Sequence, residues 1–314
     1  MSDESASLPV GLALGWVADM MLGDPVRYHP VAGFGRVAEK LESVMWRPSR
    51  AVGGVYVVAL VGPVVLGVAL LDAAVRRNRL SRLGLATVVG WTVLGGRSLG
   101  REAHRIAAAV ARGDVAEARR IAPALVGRDL SGLDGPELCR AAVESVAENT
   151  ADAVVAPLLW GAIAGPPGAV AYRAANTLDA MVGHHNDRYE RFGWAAARLD
   201  DLLTWPAARV AAALSAAMAP LVGGNGRRAW EIFRRDGSKH PSPNAGQMEA
   251  AFAGAFGVTL GGTNHYGNRV EERPLIGAGP RPGVEEVLRA ARLSQLIGAA
   301  AVAVCVMVAS RTGT

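Results

Sequence analysis

The sequence predicts an all-α, polytopic integral membrane protein with about four to six membrane-embedded helices and with amphipathic helices on the cytoplasmic side. Two observations predict this class. Of the 314 residues, 51% are hydrophobic and only 19% are charged, and the mean hydropathy is +0.21. That balance is too apolar for an ordinary soluble domain. The chain also contains uncharged runs, and the longest reach the roughly 20 residues that a helix needs to cross the hydrocarbon core.

The apolar runs give the candidate spans. In chain order they are 8–18, 51–71, 83–96, 153–172, 202–226 and 293–310. The run 51–71 is the clearest, but arginines flank it on both sides, so the positive-inside rule does not orient it. Pro166 and Pro167 interrupt the run 153–172, which predicts two half-helices or a re-entrant segment. The two shortest runs fit tilted, re-entrant or interfacial helices.

We predict a single membrane-embedded domain over residues 1–314, with an Arg-rich helical insertion around 97–128. The insertion has the pattern of two amphipathic helices separated at Gly113 and Asp114. It is too charged to span a bilayer. Together with the basic stretch 227–239 it is the best candidate for the cytoplasmic face of a multi-pass protein of the cell membrane.

A stripe of carboxylates is the most informative motif. Residues 134–137, Asp-Gly-Pro-Glu, combine an N-cap Asp, an early Pro and a Glu three residues on, and they predict a helix over about 137–156. On that helix Glu144, Glu148 and Asp152 follow at four-residue steps and share one face. Three carboxylates beside an apolar run repel one another and are costly to desolvate. The stripe favours a divalent metal carrying a phosphate, or else it is a solvated acidic helix end.

Further polar clusters border the apolar runs. Asp24 and His29 follow the N-terminal run, where they either contact metal or phosphate or form a turn with a capping Asp and an interfacial His. Asn176 and Asp179 share a helix face at three-residue spacing, which suits a hard cation. The adjacent histidines at 184–185 point in different directions on a helix, which argues against a two-His zinc site.

Two more clusters lie in the C-terminal half. Arg198 and Asp201 are three residues apart, so they either pair with each other or bind separately. In the second case Arg198 meets a phosphate while Asp200 or Asp201 meets its Mg²⁺. The stretch 239–249 opens a helix at Asn244, whose free backbone N–H groups form an anion site, or it is a simple loop with an N-cap.

These clusters together indicate phosphoryl chemistry. Polar residues inside or beside membrane spans are functional by default. Acidic residues suit Mg²⁺ and basic residues suit phosphate. The net charge of +5 suits anionic lipid or anionic substrates, and no nucleic-acid partner is expected because no such binding motif is present. Cys139 and Cys305 fit no metal or redox spacing and are expected to be unpaired thiols.

Six blocks of sequence carry a resemblance to a known family. In order they are LGDPVRYHPV, VGRDLSGLD, ESVAENTADAVVAPLLW, AYRAANTLDAMVGHHNDRY, FGWAAARLDD and HPSPNAGQMEAAFAGAFGVTLGG. The chain resembles the CobD/CbiB family of cobalamin biosynthesis, and the blocks cover most of it, from residue 22 to residue 262. One departure is the pair at 184–185, where an aromatic or mixed polar pair is expected. The two tails carry no resemblance.

The resemblance implies an integral membrane enzyme, adenosylcobinamide-phosphate synthase. Such an enzyme joins adenosylcobyric acid to (R)-1-amino-2-propanol O-phosphate at the expense of ATP, with Mg²⁺ as the expected cofactor. An acyl phosphate is the reasonable intermediate, because carboxylates are poor acyl donors. The implied partners are these substrates and membrane lipid, with a homo-oligomer or a complex with other late corrinoid enzymes as a further expectation.

Roles on these motifs follow from the chemistry. Catalytic roles are assigned to Glu144, Glu148, Asp179 and Asp200; substrate or phosphate binding to Asp24, His29, Asn149, Asn176, His184, Arg198, His240, Ser242 and Asn244; and metal binding to Glu148, Asp152, Asp179 and Asp201.

Alternatives from other classes stay open at the level of sequence. A transporter would use the intramembrane carboxylates to relay protons or bind a cation, but it would lead one to expect repeated halves, and none is found. A non-catalytic scaffold for corrinoid enzymes is the second. An intramembrane prenyl or alcohol-phosphate transferase is the third, although Asp200-Asp201 lacks the repeated Asp-rich pattern.

Overall fold

The computed structural model describes residues 7–24, 29–266 and 269–312. The chain forms two compact units. The first contains Met1–Gly95, Asp152–Thr204 and Ala301–Thr314, and the second contains Gly96–Ala151 and Trp205–Ala300. That residues 1–314 make a single membrane-embedded domain stays a prediction.

Helices make up most of the described residues. They are α1 Ser7–Leu22, α2 Pro30–Met45, α3 Arg50–Val75, α4 Arg79–Val93, α5 Gly96–Ala111, α6 Val115–Ile121, α7 Gly135–Thr150, α8 Ala156–Val182, α9 Trp194–Met218, α10 Gly226–Asp236, α11 Ala245–Phe256 and α12 Val284–Thr312. An antiparallel hairpin of β1 Thr259–Tyr266 and β2 Arg269–Gly277 is the one sheet among the described residues.

Four helical runs among the described residues are long and apolar enough to cross a membrane. They are Arg50–Val75, Gly135–Val182, Trp194–Val222 and Val284–Val308. The shorter α1 is also apolar. The predicted fold class, a helical polytopic protein with about four to six embedded helices, is therefore confirmed. The two Arg-rich helices predicted within 97–128 are α5 and α6, which are separated at Gly113 and Asp114.

The acidic stripe does not lie on one regular helix, which corrects the prediction of a helix over 137–156. The predicted start is right, because Asp134 caps α7 by accepting a hydrogen bond from the Glu137 amide at 3.0 Å. However, α7 ends at Thr150, and residues Ala151–Val155 form a π-helical turn. Such turns hold an extra residue and often mark functional sites. Glu144 and Glu148 therefore share one face of α7. Asp152 is four residues further on, but it lies on the π turn, where the α-helical face does not continue.

The break predicted at Pro166 and Pro167 is present. Gly165 has φ 67° and ψ −164°, a conformation that only glycine adopts readily, and it separates two helical pieces of α8. The hairpin was absent from the prediction. The two residues between its strands, Gly267 and Asn268, lie outside the described residues, but this dipeptide between β-prone runs is a known hairpin signal.

Small residues bring helices of the first unit into close contact. A Cβ at Gly15 would lie 2.9 Å from the Cα of Gly90, so α1 and α4 meet along their backbones. Elsewhere in this unit the rings of Tyr56 and Phe192 stack with centroids 4.9 Å apart, and Leu178 and Val182 of α8 are buried with them. This packing holds the C-terminal half of α8 in place.

The second unit is built around α11, in which all residues from Ala245 to Phe256 are buried. Helices α7 and α10 and the hairpin pack against it. A bulge in the hairpin falls between Leu260 and Gly262. At the bulge Gly261 has φ 78°, and a Cβ there would overlap the Pro274 carbonyl oxygen. Only glycine therefore fits at this position. The bulge directs the Gly261 amide toward α7, where it donates a hydrogen bond to Glu144.

Candidate functional site

The first unit gathers polar side chains from α8 and α9 into what we call the Asp cluster: Asn176, Asp179, Arg198, Asp200 and Asp201. The Asn176 amide Nδ2 donates to Asp200 Oδ1 at 3.1 Å. This hydrogen bond brings together two motifs that are separate in the sequence, those around 176–179 and 198–201. Asp200 is buried, whereas the Arg198 side chain is 68% exposed.

Asp179 lies beside further charged groups. The charges of Asp201, His184 and His185 all act on its carboxylate. A Cβ at residue 183 would overlap that carboxylate, so Gly183 makes room for it just after α8 ends. His184 and His185 are both exposed. The structure thus places His184 next to the Asp cluster, as its predicted substrate-binding role requires, and that role stays a prediction.

Two buried hydroxyl groups, those of Thr204 and Tyr172, lie next to Asp200 in the Asp cluster. Thr204 Oγ1 lies 3.4 Å from Asp200 Oδ2 and 3.1 Å from the buried Tyr172 hydroxyl. Asp152 and Asp200 both act electrostatically on Tyr172. Sequence spacing gives no reason to connect Asp152 with Asp200, because the two residues that lie between them, Tyr172 and Thr204, are uncharged and far apart along the chain.

Arg198 and Asp201 face each other loosely. Their nearest atoms, Nη1 and Oδ2, are 3.8 Å apart, beyond hydrogen-bond distance. The structural interpretation of the motif, an i,i+3 pair, is therefore present in weak form. The guanidinium keeps most of its donors in solvent, so the phosphate-binding interpretation stays a prediction.

The motif containing Asp24 and His29 is partly structural. His29 Nδ1 accepts a hydrogen bond from the Val31 amide at 3.1 Å and caps α2, so the cap is the histidine rather than the aspartate. Its Nε2 lies 3.9 Å from Asp24 Oδ1. Burial lowers the pKa of His29, Asp24 opposes this, and Arg173 lowers it further. Residues 25–28 of the motif lie outside the described residues.

The second unit holds a buried network that we call the Arg–Glu cluster: Arg128, Glu137, Arg140, Glu144 and Asn264. Arg140 has no exposed side-chain surface and donates to Glu137 Oε2 at 2.8 Å, to Glu144 Oε1 at 2.9 Å and to Asn264 Oδ1 at 3.2 Å. The guanidinium therefore ties α7 to the hairpin.

Glu144 is saturated by donors. Its carboxylate accepts from Arg128 Nη1 at 2.7 Å, from Arg140 Nη1 at 2.9 Å and from the Gly261 amide at 2.8 Å. A carboxylate with this many donors is stabilised in its charged form and is poorly placed to accept a proton or a metal. Glu148, one turn later, is exposed. Asn149 Nδ2 donates to the Ser145 carbonyl oxygen at 2.9 Å, a local helix contact.

Glu249 is a buried acid on α11 for which the sequence analysis predicts no role. It is 6% exposed and lies 3.8 Å from His240 Nε2. Burial raises the pKa of Glu249 well above its usual range, and the negative charges of Glu144 and Glu148 raise it further. Burial therefore favours the protonated form of this side chain more than it would for a solvent-exposed glutamate. The signal available in the sequence was a lone carboxylate within the apolar run 248–258.

His240 is a buried, neutral ring. Its Nε2 accepts a hydrogen bond from Arg273 Nη1, and its Nδ1 lies 3.0 Å from the Ser242 amide nitrogen. Burial lowers the pKa of His240 to about 4, and the nearby Arg273 contributes to the lowering. A proton added to the ring would place a positive charge next to the Arg273 guanidinium, and the repulsion between the two charges opposes protonation near pH 7.

The helix start predicted at Asn244 is confirmed, since α11 begins at Ala245. Ser242 Oγ accepts from the amides of Asn244 and Ala245 at 3.3 and 3.2 Å. Asn244 Oδ1 accepts from Arg209 Nη1 at 2.9 Å. The Ser242 hydroxyl therefore already accepts from two of the backbone amides at the start of α11. The anion site assigned to Ser242 and Asn244 stays a prediction.

The four residues assigned to metal fall in both units. Asp152, Asp179 and Asp201 belong to the first unit and Glu148 to the second. Within residues 7–24, 29–266 and 269–312, no group of three or more His, Cys, Asp or Glu is arranged to hold a metal ion. Mg²⁺ usually arrives with substrate phosphates and needs only one or two protein carboxylates. The carboxylate chemistry suits that ion, and the metal assignment stays a prediction.

Comparison with known proteins supports the resemblance read from the sequence. A family model described as CobD/Cbib protein matches residues 12–294. The cobalamin biosynthesis protein CobD of Mycobacterium tuberculosis (strain CDC 1551 / Oshkosh) is 49% identical over 304 residues, which cover 96% of this chain and 96% of that protein. Its namesake from Geobacter metallireducens is 47% identical over 270 residues, covering 84% and 85%. No solved structure matches. The chain therefore belongs to the CobD/CbiB family of cobalamin biosynthesis proteins.

Proposed function

We propose that the protein is adenosylcobinamide-phosphate synthase, an ATP-dependent acid–amine ligase of cobalamin biosynthesis. The observation that carries the proposal is the family match over residues 12–294. All polar motifs assigned from sequence fall inside that match. Their carboxylates, arginines and histidines are the groups that phosphoryl transfer and amide formation require.

The reaction divides into two balanced steps. A propionate carboxylate oxygen of adenosylcobyric acid attacks the γ-phosphorus of ATP, and the bond between that phosphorus and the bridging oxygen breaks to release ADP. The amine of the aminopropanol phosphate then attacks the acyl carbon. The carbon–oxygen bond to the phosphoryl group breaks, inorganic phosphate leaves, and one proton passes from nitrogen to a base.

Residues of the Asp cluster fit the binding and proton-transfer roles. Asp179 is partly exposed, whereas the Glu144 carboxylate is buried and held by Arg128, Arg140 and the Gly261 amide, so Asp179 is the stronger candidate for the base. The exposed Arg198 and His184 suit the phosphate groups. Mg²⁺ bound with ATP would neutralise phosphate charge, and Asp152, Asp179 and Asp201 are first-unit carboxylates whose chemistry suits it.

The Arg–Glu cluster fits a supporting role. Because Glu144 accepts three hydrogen bonds from groups spread over more than a hundred residues, it is better suited to position Arg128 and the hairpin than to move a proton. In this proposal Glu144 is a positioning residue, while Glu148, Asp179 and Asp200 keep the catalytic assignment.

The proposed location is the cell membrane, with several passes. The strongest support is α3, whose apolar side chains Val55, Val58, Leu66 and Leu70 are exposed. Residues 51–71 of this helix carry no charge, and a helix with such a surface is stable in contact with lipid chains.

A reconstituted assay tests the activity. Protein purified in detergent is given adenosylcobyric acid, aminopropanol phosphate, ATP and Mg²⁺, and both ADP and the amide product are measured. We expect ADP release that depends on both other substrates and matches product in a one-to-one ratio. Product formed equally without ATP, or no product from folded protein, would overturn the proposal in favour of a transporter or a scaffold.

A further inference from the structure

Arg128 is an almost completely buried arginine, and only part of its guanidinium is hydrogen-bonded to the residues that the structure describes. Its side chain is only 7% exposed, and Nη1 donates to Glu144 Oε2 at 2.7 Å. The other two nitrogens, Nε and Nη2, are buried and have no hydrogen-bond partner in the part of the chain that the structure describes. Buried donors without an acceptor, above all charged ones, are costly and call for an explanation.

The edge that carries Nε and Nη2 is the one with which arginine binds two oxygens at once. The Nε–H and Nη2–H bonds run parallel and match the oxygens of a carboxylate or phosphate. Two other arginines of the chain show the geometry. Arg235 donates through Nε and Nη2 to the two oxygens of Asp236 at 2.8 and 2.7 Å. Arg120 does the same to Glu117 at 2.6 and 2.7 Å.

The nearby acids do not fill the edge of Arg128. Glu144 contacts Nη1 and is also held by Arg140 and by the Gly261 amide. Glu249 is close enough for the charge of Arg128 to act on it, but it makes no hydrogen bond to Nε or Nη2, neither of which has a partner among the described residues. The guanidinium is thus oriented by a fixed carboxylate, and its two remaining parallel donors are preorganised for an anion that comes from outside the chain.

We propose that the Nε/Nη2 edge of Arg128 binds the phosphate group of one of the phosphorylated substrates through two parallel hydrogen bonds. The inference rests on the proposed function for the identity of those substrates. The phosphate comes either from the terminal group of ATP or from the amino-alcohol phosphate, since both present two free oxygens at the required spacing. The site lies within the second unit, apart from Arg198 in sequence and in its own network.

Binding measurements on the full-length protein in detergent separate the two sources. Isothermal titration with ATP·Mg²⁺ and, separately, with aminopropanol phosphate is done on the wild type and on Arg128→Lys. Lysine keeps the positive charge beside Glu144 but cannot present two parallel donors. We expect the affinity for one of the two compounds to fall by about tenfold or more, while the other stays within about twofold.

Arg120→Lys is the matched control. It removes the same fork from an exposed pair with Glu117, so both affinities should stay at the wild-type value. Loss for ATP assigns the edge to the nucleotide, and loss for the amine phosphate assigns it to the amine. Unchanged affinity for both compounds in folded Arg128→Lys would overturn the proposal.

A second measurement covers a lysine variant that does not fold. A structure of the wild-type protein with ATP or aminopropanol phosphate then decides the matter. Phosphate oxygens within hydrogen-bond distance of Nε and Nη2 support the proposal, and both ligands bound with this edge still empty overturn it. Failure of the proposed function is seen separately, as absence of amide product from the wild type.

Discussion

The Asp cluster and the Arg–Glu cluster use the same kinds of side chain in opposite ways. In the Arg–Glu cluster Arg140 is fully buried and Glu144 accepts three hydrogen bonds. In the Asp cluster Arg198 is 68% exposed and its nearest carboxylate oxygen is 3.8 Å away. Arginines buried against carboxylates hold elements together, whereas an exposed arginine such as Arg198 can take a ligand from solvent. The difference teaches that spacing along a helix does not by itself distinguish a site from a scaffold.

The largest expected effect tests the structural half of the comparison. Arg140→Gln leaves Glu144 and Glu137 without their shared partner inside the unit, so we expect a loss of about 3–5 kcal/mol in the free energy of unfolding. Equilibrium unfolding in mixed detergent measures it. Arg120→Gln is the control, because its exposed pair should cost no more than about 1 kcal/mol. If the Arg140→Gln protein is stable but inactive, Arg140 serves activity rather than stability.

The next effect tests the functional half. Asp179→Asn keeps the shape of the side chain and removes its charge, so we expect roughly a hundredfold loss in kcat/KM, about 2.7 kcal/mol, with little change in stability. Steady-state kinetics and thermal unfolding measure the two effects. Asp187→Asn, in the exposed loop that follows α8, should keep wild-type activity.

Glu148→Gln extends this test to the second unit. Glu148 is exposed, so the substitution should be neutral for folding, and it should lower activity if this carboxylate has the metal-binding role assigned to it. Raising the Mg²⁺ concentration should then restore part of the activity in both variants. Near-wild-type turnover in both would remove the metal assignment.

A pH-dependent prediction concerns Asp236, another saturated carboxylate of the second unit. Its side chain is fully buried and accepts from Arg235, Lys239 and the Gly277 amide. The hydrogen bonds from Arg235 above all, with help from Lys239 and Gly277, hold the pKa of Asp236 well below its usual range. A lowered folded-state pKa gives stability that is present above the ordinary value near 3.8 and is lost as the pH falls toward the folded value.

The Asp236→Asn variant makes this measurable. At pH 7 we expect it to be less stable than the wild type by about 1.5–3 kcal/mol, the range for hydrogen bonds to a charged group. The difference should shrink as the pH drops below about 4, since the Asp236 carboxylate of the unfolded chain then begins to gain a proton while the folded one stays charged. A difference that stays constant down to pH 3 would show that packing, rather than charge, is what the variant loses.

Local sequence rules predicted the helical fold and several of its landmarks. Apolar runs gave the candidate spans, the Asp134 cap gave the start of α7, and Pro166 gave the break in α8, because each depends on neighbours within about four residues. The π turn at 151–155 was not predictable in this way. Its sequence carries no marker that separates it from an ordinary helix.

The different surroundings of the carboxylates in the two clusters could not be predicted from the sequence. Glu144 and Asp179 look equally suited to catalysis in the sequence, since both border apolar runs. What saturates Glu144 is an amide at Gly261, 117 residues away, on a hairpin that the prediction missed. Likewise the pKa of Glu249 is raised by burial and by the negative charges of Glu144 and Glu148 on α7. Tertiary contacts at long sequence separation decide both cases.

The smallest expected effect concerns Arg198 and decides between the two interpretations of its motif. If Arg198 only pairs with Asp201, an exposed contact at 3.8 Å contributes little, and Arg198→Lys should be tolerated. If it binds a phosphate through two parallel donors, lysine cannot replace the fork. We expect the second outcome, with about a tenfold loss in kcat/KM, corresponding to about 1.4 kcal/mol, and with unchanged stability.

Kinetics with each substrate varied in turn locates that loss. It should appear when ATP or the amine phosphate is varied and be absent when adenosylcobyric acid is varied, because only the first two carry the phosphate groups assigned to Arg198. Asp201→Asn is the companion variant: if the ion pair orients the guanidinium, it should reduce the same constants by a smaller factor. Unchanged constants for both phosphorylated substrates in Arg198→Lys would make Arg198 a surface partner of Asp201, and the Asp cluster would then need another cation to hold its phosphate.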